Sequence, residues 1–580
     1  MKVCLGQIDT TPGDFDGNLQ KIFLGVEEAS KAKCDALVFP ELTIPGYLSQ
    51  DLLYDPRYIE QNLSSLKKVV DYSLTTFAGL HIVLGYIERN MGPGKPFFNM
   101  AAVVSGGKIL GRYKKQLVPF YDVFDEARYY ERGEELLVLN IADKRVGIAI
   151  CEDLWNDKGS EDYSYVNNPL RMYRDKGIEV ILALNSSPYV HDKAWKRLNL
   201  ICEQDSPLTI VYVNQRGGQD DLVFDGQSFV VQGRSLLHMS NEIFKDTYDI
   251  VDTNNCPPLS SSLENAEANI AFVDLFDLLV LCLRDYVKKS GFSQVVIASS
   301  GGVDSAVVCK LACEALGPKN VHAIRLPSLY SSEHSREDAL ELHRNLGCWD
   351  YEVPIDHKSA VTMLNEKFAI HNTRDNLVAN VLQSGNYQSI ADENIQARLR
   401  DIYIMHFSNA FGAIPLSTGN KTESACGYYT HFDMNFSFAP IKDLYKFQVV
   451  EIAKQCSDIP LNIWRKAPSA ELAEGQKDEE SLLPYAVLDP IVRAYVEDYV
   501  STFDGFNLWL QRQQAEKISS DSEFLFAWLA SEVAEIDFGR ILSLMGKMEF
   551  KRRQTCPGTK VTKVAFGMGR RVPIVEKRTP

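Results

Sequence analysis

Over the first 250 or so residues, apolar runs of strand length recur between windows whose hydrophobic positions fall at helical spacing. The strands this pattern predicts cover 3–8, 36–39, 81–86, 101–104, 146–150, 180–184 and 209–213. Ser105-Gly106-Gly107-Lys108 stands between two apolar runs and reads as a hairpin turn, so part of the sheet is antiparallel. The first half is therefore α+β. Across 252–269 the pattern breaks into a stretch rich in Asn, Pro, Ser and Glu (TNNCPPLSSSLENAEAN), the composition of a linker. Beyond it, strand-like runs at 295–298, 321–324, 351–355 and 413–416 alternate with helix-length stretches, the pattern of an α/β parallel, doubly wound sheet. The expected division is 1–251, a linker at 252–269, and 270–580.

Composition changes this picture mainly by exclusion. At 580 residues and 45% hydrophobic content, the chain is too long for one core and calls for two or three domains. A formal charge of −16 and a pI near 5.2 supply no extended positive field, which argues against a general nucleic-acid or anionic-membrane surface. The twelve cysteines form no C-x-x-C pair. Met1-Lys2-Val3-Cys4-Leu5 reads as a strand and not a signal peptide, and no apolar run approaches the ~18 residues of a membrane span. The expectation is a soluble cytoplasmic protein, with no nucleic acid and no membrane as partner.

Chemistry first shows in Ser300-Gly301-Gly302-Val303-Asp304-Ser305, directly after the apolar run Val295-Val296-Ile297-Ala298. Two glycines let the backbone turn its N–H groups toward one point, and the next run opens a helix whose positive end faces the same point. That is a phosphate cradle. No Lys follows in the P-loop position, so the pattern suits release of pyrophosphate with AMP left on the substrate. Ala298 and Ser299 lead into the cradle, Ser300 and Ser305 offer hydroxyl donors, and Asp304 is the first choice for Mg²⁺. A plain Gly-Gly turn would explain the glycines but not the hydroxyls and the carboxylate.

In the first half, Glu41, Lys115 and Cys151 each stand where an apolar run ends. Singly, each has an ordinary explanation: a helix-capping Glu, a solvated Lys, a packed Cys. Together they form a working set, with a carboxylate to take the thiol proton, a thiol to attack an amide carbonyl, and an ammonium for the oxyanion. Further along, Asn394 and Arg398 share a helix face in Glu393-Asn394-Ile395-Gln396-Ala397-Arg398, suited to a ribose or phosphate. Leu416-Ser417-Thr418-Gly419-Asn420-Lys421-Thr422-Glu423 leaves a strand with Thr418 placed for nucleotide and Glu423 for substrate or Mg²⁺.

FPE at 39–41, YKKQ at 113–116 and ICEDLWN at 150–156 resemble the nitrilase, or carbon-nitrogen hydrolase, superfamily, and VFDE at 123–126 its glutaminase branch. The resemblance implies an α-β-β-α sandwich with Glu41 as base, Lys115 as oxyanion partner and Cys151 as nucleophile carrying a glutamyl thioester. Lys114 is the competing lysine, and spacing to VFDE favours Lys115. Tyr121, Glu126, Ser187 and Lys193 fall where that family contacts glutamine; the family often has Gly before the last lysine, where this chain has Asp192.

SGGVDS is similar to the loop of the N-type ATP pyrophosphatases, an adenine nucleotide hydrolase-like fold. With ENIQAR, STGNKTE, PIKDLYK at 440–446, APSAEL at 467–472, GQKDE at 475–479, VLDP at 487–490 and KRRQ at 551–554, the chain resembles the glutamine-dependent NAD⁺ synthetase family over nearly its whole length. That resemblance implies glutamine, ATP and deamido-NAD⁺ as substrates and Mg²⁺ as cofactor. Residues 298–305 and Thr418 then bind ATP, Asn394, Arg398, Glu423 and Lys551 contact deamido-NAD⁺, and Asp304 with Glu423 holds the metal. At least a homodimer is implied. Three alternatives remain open: a related amidotransferase acting on another adenylated carboxylate, a sulfur-transfer relative, and a nucleotide sensor without activity. The second lacks paired thiols, and the third predicts a lost nucleophile or a broken loop. One departure is 431–438, where His431-Phe432-Asp433-Met434-Asn435-Phe436-Ser437-Phe438 replaces a glycine-rich family loop. The basic C-terminal run from Lys551 to Arg571 reads either as a solvated face or as a pyrophosphate contact.

Overall fold

The computed structural model describes residues 1–155, 165–202, 208–260, 273–370, 390–431, 436–466, 468–469, 471–473, 482–514 and 517–574. Its contacts divide into two compact units, Met1–Cys282 and Leu283–Pro580. Of the expected linker, 261–269 lies outside the described residues.

The first unit carries two six-stranded sheets. One contains β1 (Lys2–Gln7), β2 (Ala36–Val38), β3 (His81–Arg89), β4 (Phe97–Ser105), β5 (Lys108–Lys114) and, at its other edge beside β1, a strand from Thr247–Asp252. The other runs from β6 (Val138–Ile141) through β7 (Lys144–Ile150), β8 (Val180–Asn185) and β9 (Thr209–Asn214). A separate two-stranded ribbon joins β10 (Arg216–Gln219) to β11 (Leu222–Asp225), and β12 (Phe229–Gln232) and β13 (Ser235–Met239) complete the second sheet. The Thr247–Asp252 strand is β14. The seven runs expected from sequence lie in or overlap β1, β2, β3, β4, β7, β8 and β9, and the Ser105–Lys108 turn closes the antiparallel β4/β5 hairpin.

Alternation explains how the sheets face each other. Val3, Leu5, Val38 and Val83 of the first sheet share one buried cluster with Ile148, Ile150, Leu182 and Val213 of the second. The intervening Ile181 and Ala183 point to the opposite face of β8 and join Tyr173 and Leu198 of two outer helices, α3 (Pro169–Asp175) and α4 (Lys193–Cys202). On the outer side of the first sheet lie α1 (Phe15–Lys31) and α2 (Pro56–Tyr72). The layers are α-β-β-α.

The second unit holds a four-stranded parallel sheet in the order β17-β16-β15-β18, with β15 (Val295–Ala298), β16 (Val321–Arg325), β17 (Trp349–Glu352) and β18 (Ile414–Leu416). β15 is buried along its whole length, as a doubly covered parallel strand must be. The strand expected at 351–355 instead occupies Trp349–Glu352, since pairing begins at His322 with Trp349 and stops short of Pro354, which has no N–H to give. The two units divide within α5 (Leu275–Lys289); around the sheet, in chain order, then run α6 (Val303–Leu316), α7 (Glu333–Leu346), α8 (His357–Ile370) and α9 (Ile390–Phe411). Two short helices follow β18, α10 (Lys421–Cys426) and α11 (Lys446–Gln455), then α12 (Leu461–Arg465) and α13 (Tyr485–Glu497). With α14 (Phe503–Gln511), α15 (Ser522–Leu529) and α16 (Ala534–Lys547), α13 encloses a helical core around Val487, Ile491, Phe506 and Ile541. The strand order reverses between β15 and β18, so their carboxyl ends open the crevice where such sheets bind ligands.

Candidate functional sites

In the first unit, the three strand-end residues meet. Glu41 leaves β2 in a turn pressed against β3, where a Cβ at Gly85 would sit 2.2 Å from the Leu42 nitrogen, so glycine lets the turn approach. Oε1 of Glu41 accepts from Lys115 Nζ at 2.7 Å and from Asn99 Nδ2 at 2.8 Å. Its Oε2 is buried and has no hydrogen-bond partner among the described residues. Lys115 follows β5, whose alternation turns Tyr113 inward and Lys114 outward. Lys114 accordingly lies over the Phe98 ring at 3.9 Å, whereas Lys115, 1% exposed, also donates to Glu126 at 2.8 and 3.0 Å. Of the two candidate lysines, only Lys115 reaches Glu41.

Cys151 opens the turn after β7 with φ of 44°, a left-handed conformation that a non-glycine residue holds only at a cost. Burial pushes its thiol well up, the Glu41 carboxylate adds to this, and the Lys115 ammonium opposes. The resting thiol is therefore protonated and needs a base. Burial alone would lower the Lys115 ammonium, but Glu126 and Glu41 hold it well above its ordinary value. Burial likewise raises the Glu126 carboxyl, against the pull of Lys115.

The expected glutamine contacts have partners of their own. Tyr121 donates to Glu152 at 2.8 Å, and its ring meets Phe124 edge-on, over which Lys193 lies at 5.7 Å. The Ser187 amide donates to Asn214 Oδ1 at 2.9 Å, while its carbonyl and hydroxyl accept from Arg197, itself buried on Asp225. Asp192, where the family often has Gly, has φ of 63°, a region that glycine enters freely and Asp tolerates. Glu126, expected among the glutamine ligands, stands on Lys115 beside Glu41.

Two residues of this centre escaped the sequence reading. Glu152 is buried next to the nucleophile and accepts from Tyr121 and Tyr165. Asp153 takes the Gln116, Leu117 and Ile150 amides and the Tyr113 hydroxyl, so it ties the Lys115 segment to the Cys151 turn; burial pushes it up to about 6 despite those donors. Both lie in ICEDLW, where an acidic pair beside Cys was the available signal.

In the second unit a cavity of about 1150 Å³ opens at the ends of β15 and β18. Every residue expected at nucleotide, substrate or metal lines it except Gly301. Gly301 has φ of 80°, and a Cβ there would lie 2.2 Å from the Ser335 carbonyl oxygen, so the loop can pass only as glycine. Gly302 caps α6, directing that helix's amino end at the cavity, and Ser305 Oγ receives the Ser300 amide at 3.3 Å. Thr418 lines the other wall, beyond β18.

Asp304 and Glu423 come together around one cation: the Lys446 ammonium pairs with Asp304 Oδ2 and lies 3.4 Å from Glu423 Oε1. Asn420 donates to Asp304 at 2.9 Å and forms a capping box with Glu423 on α10. Asn-x-x-Glu before a helix is a legible capping signal, and Lys446 ends the quoted PIKDLYK. Asn394 accepts from Thr430 at 2.6 Å, and Arg398 donates to the His431 carbonyl at 3.2 and 3.3 Å, so one face of α9 holds the 430–431 turn. Lys551 donates to the Gly427 and Tyr429 carbonyls at 2.8 Å; burial lowers its ammonium. Arg552 and Lys560 of the basic C-terminal run are buried on backbone carbonyls. Within the departing 431–438 run, 432–435 lie outside the described residues, as do Asn156 of ICEDLWN, Ala467 and Ala470 of APSAEL and all of GQKDE.

Among the described residues no group of three or more His, Cys, Asp or Glu could hold a metal, and no helix is long and apolar enough to cross a membrane. Asp304 and Glu423 are carboxylates of the kind Mg²⁺ takes one or two of beside phosphate oxygens and water, and here both pair with the Lys446 ammonium.

Residues 2–234 match the family model for carbon-nitrogen hydrolases, and 275–523 that for NAD synthase. The chain is 35% identical to a glutamine-dependent NAD(+) synthetase of Thermotoga maritima, over all of this chain and 99% of that one. It is equally 35% identical to one of Synechocystis, over all of this chain and 99% of that protein. Among solved structures it is similar to the glutamine-dependent NAD+ synthetase of Acinetobacter baumannii in complex with ADP, at 30% identity and a TM-score of 0.69, covering 99% of this chain and 98% of that one. The fold is shared as well with the corresponding protein of Cytophaga hutchinsonii, at 19% identity and a TM-score of 0.76, with 99% and 98% covered. With sequence, both domain models and full-length coverage in agreement, the chain belongs to the glutamine-dependent NAD(+) synthetase family.

Proposed function

We propose that the chain hydrolyses glutamine in 1–251 and uses the ammonia in 270–580 to amidate deamido-NAD⁺, giving NAD⁺, AMP, pyrophosphate and glutamate. The observation that carries the first half is the buried Lys115 held between Glu41 and Glu126, with Glu41 Oε2 open beside a protonated Cys151. Glu41 takes the thiol proton, the sulfur attacks the side-chain amide of glutamine, and Lys115 steadies the oxyanion. The proton returns to the departing ammonia, and water, deprotonated by Glu41, releases glutamate from the thioester. Glu152, buried and hydrogen-bonded to Tyr121, would receive the α-ammonium of glutamine, with Ser187 and Lys193 as further contacts.

In the second site, Ser300, Ser305 and the amides opening α6 hold ATP phosphates, and Asp304 and Glu423 would hold Mg²⁺. When bound, Mg²⁺ would supply charge neutralisation at the phosphates. Asn394, Arg398 and Lys551 line the wall assigned to deamido-NAD⁺. The carboxylate displaces pyrophosphate from ATP, and ammonia then displaces AMP, forming the amide. Carboxylates do not react with ammonia unaided, which is the chemical reason for joining the two activities. Exposed Ile402 and Phe411 on α9 support an assembly of at least two chains, and free thiols support a cytoplasmic setting.

The test compares NAD⁺ formation with glutamine and with ammonium in wild type and C151A. Wild type is expected to use both donors and the variant ammonium alone. Failure of wild type with both donors would send the search to another carboxylate.

A further inference from the structure

Behind the adenylation loop lies a chain of side chains, buried at Ser299, His343 and Arg325 and half-buried at Asp350, that the reaction so far leaves without a role. Ser299 Oγ lies 2.9 Å from His343 Nε2, and His343 Nδ1 lies 2.5 Å from Asp350 Oδ1. Arg325 grips both oxygens of Asp350 at 2.8 Å. Ser299 leaves β15, His343 lies in the last turn of α7, Asp350 is in β17 and Arg325 ends β16, so four elements converge on one hydroxyl. His343 and Ser299 are 1% and 4% exposed.

The hydrogen-bond directions follow from the charges. Arg325 and His343 hold Asp350 ionised although burial pushes the other way, so Nδ1 of His343 must donate to it. Burial keeps the imidazole neutral, leaving Nε2 as an acceptor, and Ser299 must donate its hydroxyl proton there. The Ser299 amide is fixed as well, on the Ile324 carbonyl at 2.9 Å. One residue later Ser300 turns to the other side, toward Ser305 and the Gly302 amide. The peptide joining 299 to 300 is thus held from behind while the cradle residues face the cavity.

We infer that Ser299, His343 and Asp350, backed by Arg325, form a positioning relay that fixes the adenylation loop for ATP. The inference rests on the ATP site proposed above and adds residues to it that touch no reacting atom beyond Ser299. Remove His343 and the buried Ser299 hydroxyl must turn to the Cys309 sulfur, a weak acceptor, or to the loop's own groups, and the loop loses the partner that fixes it.

The test measures Mg·ATP affinity by titration calorimetry on the full chain, alongside the KM for ATP, glutamine hydrolysis and thermal unfolding. S299A and H343A are each expected to weaken ATP roughly ten-fold, and the double variant no more than the weaker single, because both cut one relay. H343Q, which keeps an acceptor at the Nε2 position, is expected to recover part of the loss, with the KM for glutamine unmoved throughout. Unchanged ATP affinity in S299A and H343A would overturn the relay, and so would losses that simply add or follow the unfolding temperature alone. If H343A does not fold, S299A against H343Q makes the same decision. Wild type that binds no Mg·ATP overturns the relay, whereas wild type that binds it yet makes no NAD⁺ overturns the functional reading and leaves the binding comparison decisive.

Discussion

Lys115 places one buried ammonium against two carboxylates, and that ratio sets what its loss would do. In K115M, Glu41 and Glu126 would face each other uncompensated in a buried site. The expected cost is about 3–5 kcal/mol of stability, read by thermal unfolding. Glutamate release should fall at least ~100-fold while ammonium-driven NAD⁺ formation persists. E152Q should raise the KM for glutamine about ten-fold or more and leave the ammonium reaction alone, since an amide attracts the α-ammonium less than a carboxylate does. Glu41 and Cys151 were legible because each follows an apolar run, 36–40 and 146–150, and Lys115 because it stands in YKKQ; only the three together made a working set. Glu152 was not legible, because an acidic residue after Cys looks like any first-turn acid until Tyr121 and Tyr165 are seen converging on it from elsewhere in the chain.

Among the elements, the short helices α10 and α11 carry Glu423 and Lys446 to the cavity, and α13 holds both in place through one carboxylate. Asp489 is fully buried, accepts the Phe447 amide at 2.9 Å and the Thr422 hydroxyl at 2.5 Å, and thereby joins the start of α11 to α10. Burial pushes its carboxyl up from 3.8 to about 6, against those two donors. A raised carboxyl favours the folded state most when protonated, so this contribution is fully present below about pH 3.8 and is lost as pH rises through about 6. Unfolding measured from pH 4 to 7 should therefore show wild type losing stability relative to D489N across that window, with no further divergence above it. β1 to β4, β7 to β9 and the four strands of the parallel sheet were readable from apolar runs, and the β4/β5 hairpin from its Gly-Gly turn, whereas β6 and β10 to β14 were not read. VLDP was visible as a motif, but the partners of its Asp lie 67 and 42 positions away, beyond any local pattern.

For the whole molecule, two chemistries on two compact units predict lesions that separate. C151A should abolish glutamate release and spare NAD⁺ synthesis from ammonium; G301A, forced into the Ser335 carbonyl at positive φ, should keep glutamate release and lose NAD⁺ synthesis with either donor. Assaying both products in both variants checks this, and a lesion that silences both activities would show that the units do not act separately. What the sequence determined by itself was local: strand-length apolar runs, the glycines of the cradle, and the polar residues at strand ends, since backbone preference and period-2 alternation act over a few residues. Spacing to VFDE already favoured Lys115 over Lys114; the tertiary structure alone decided that Lys115 is shared between Glu41 and Glu126, that Lys446 lies between Asp304 and Glu423, and that Ser299 turns back to His343. Each of those depends on which side chains long-range packing buries together, and in a low-dielectric interior a charge or hydroxyl must take whatever partner that packing supplies.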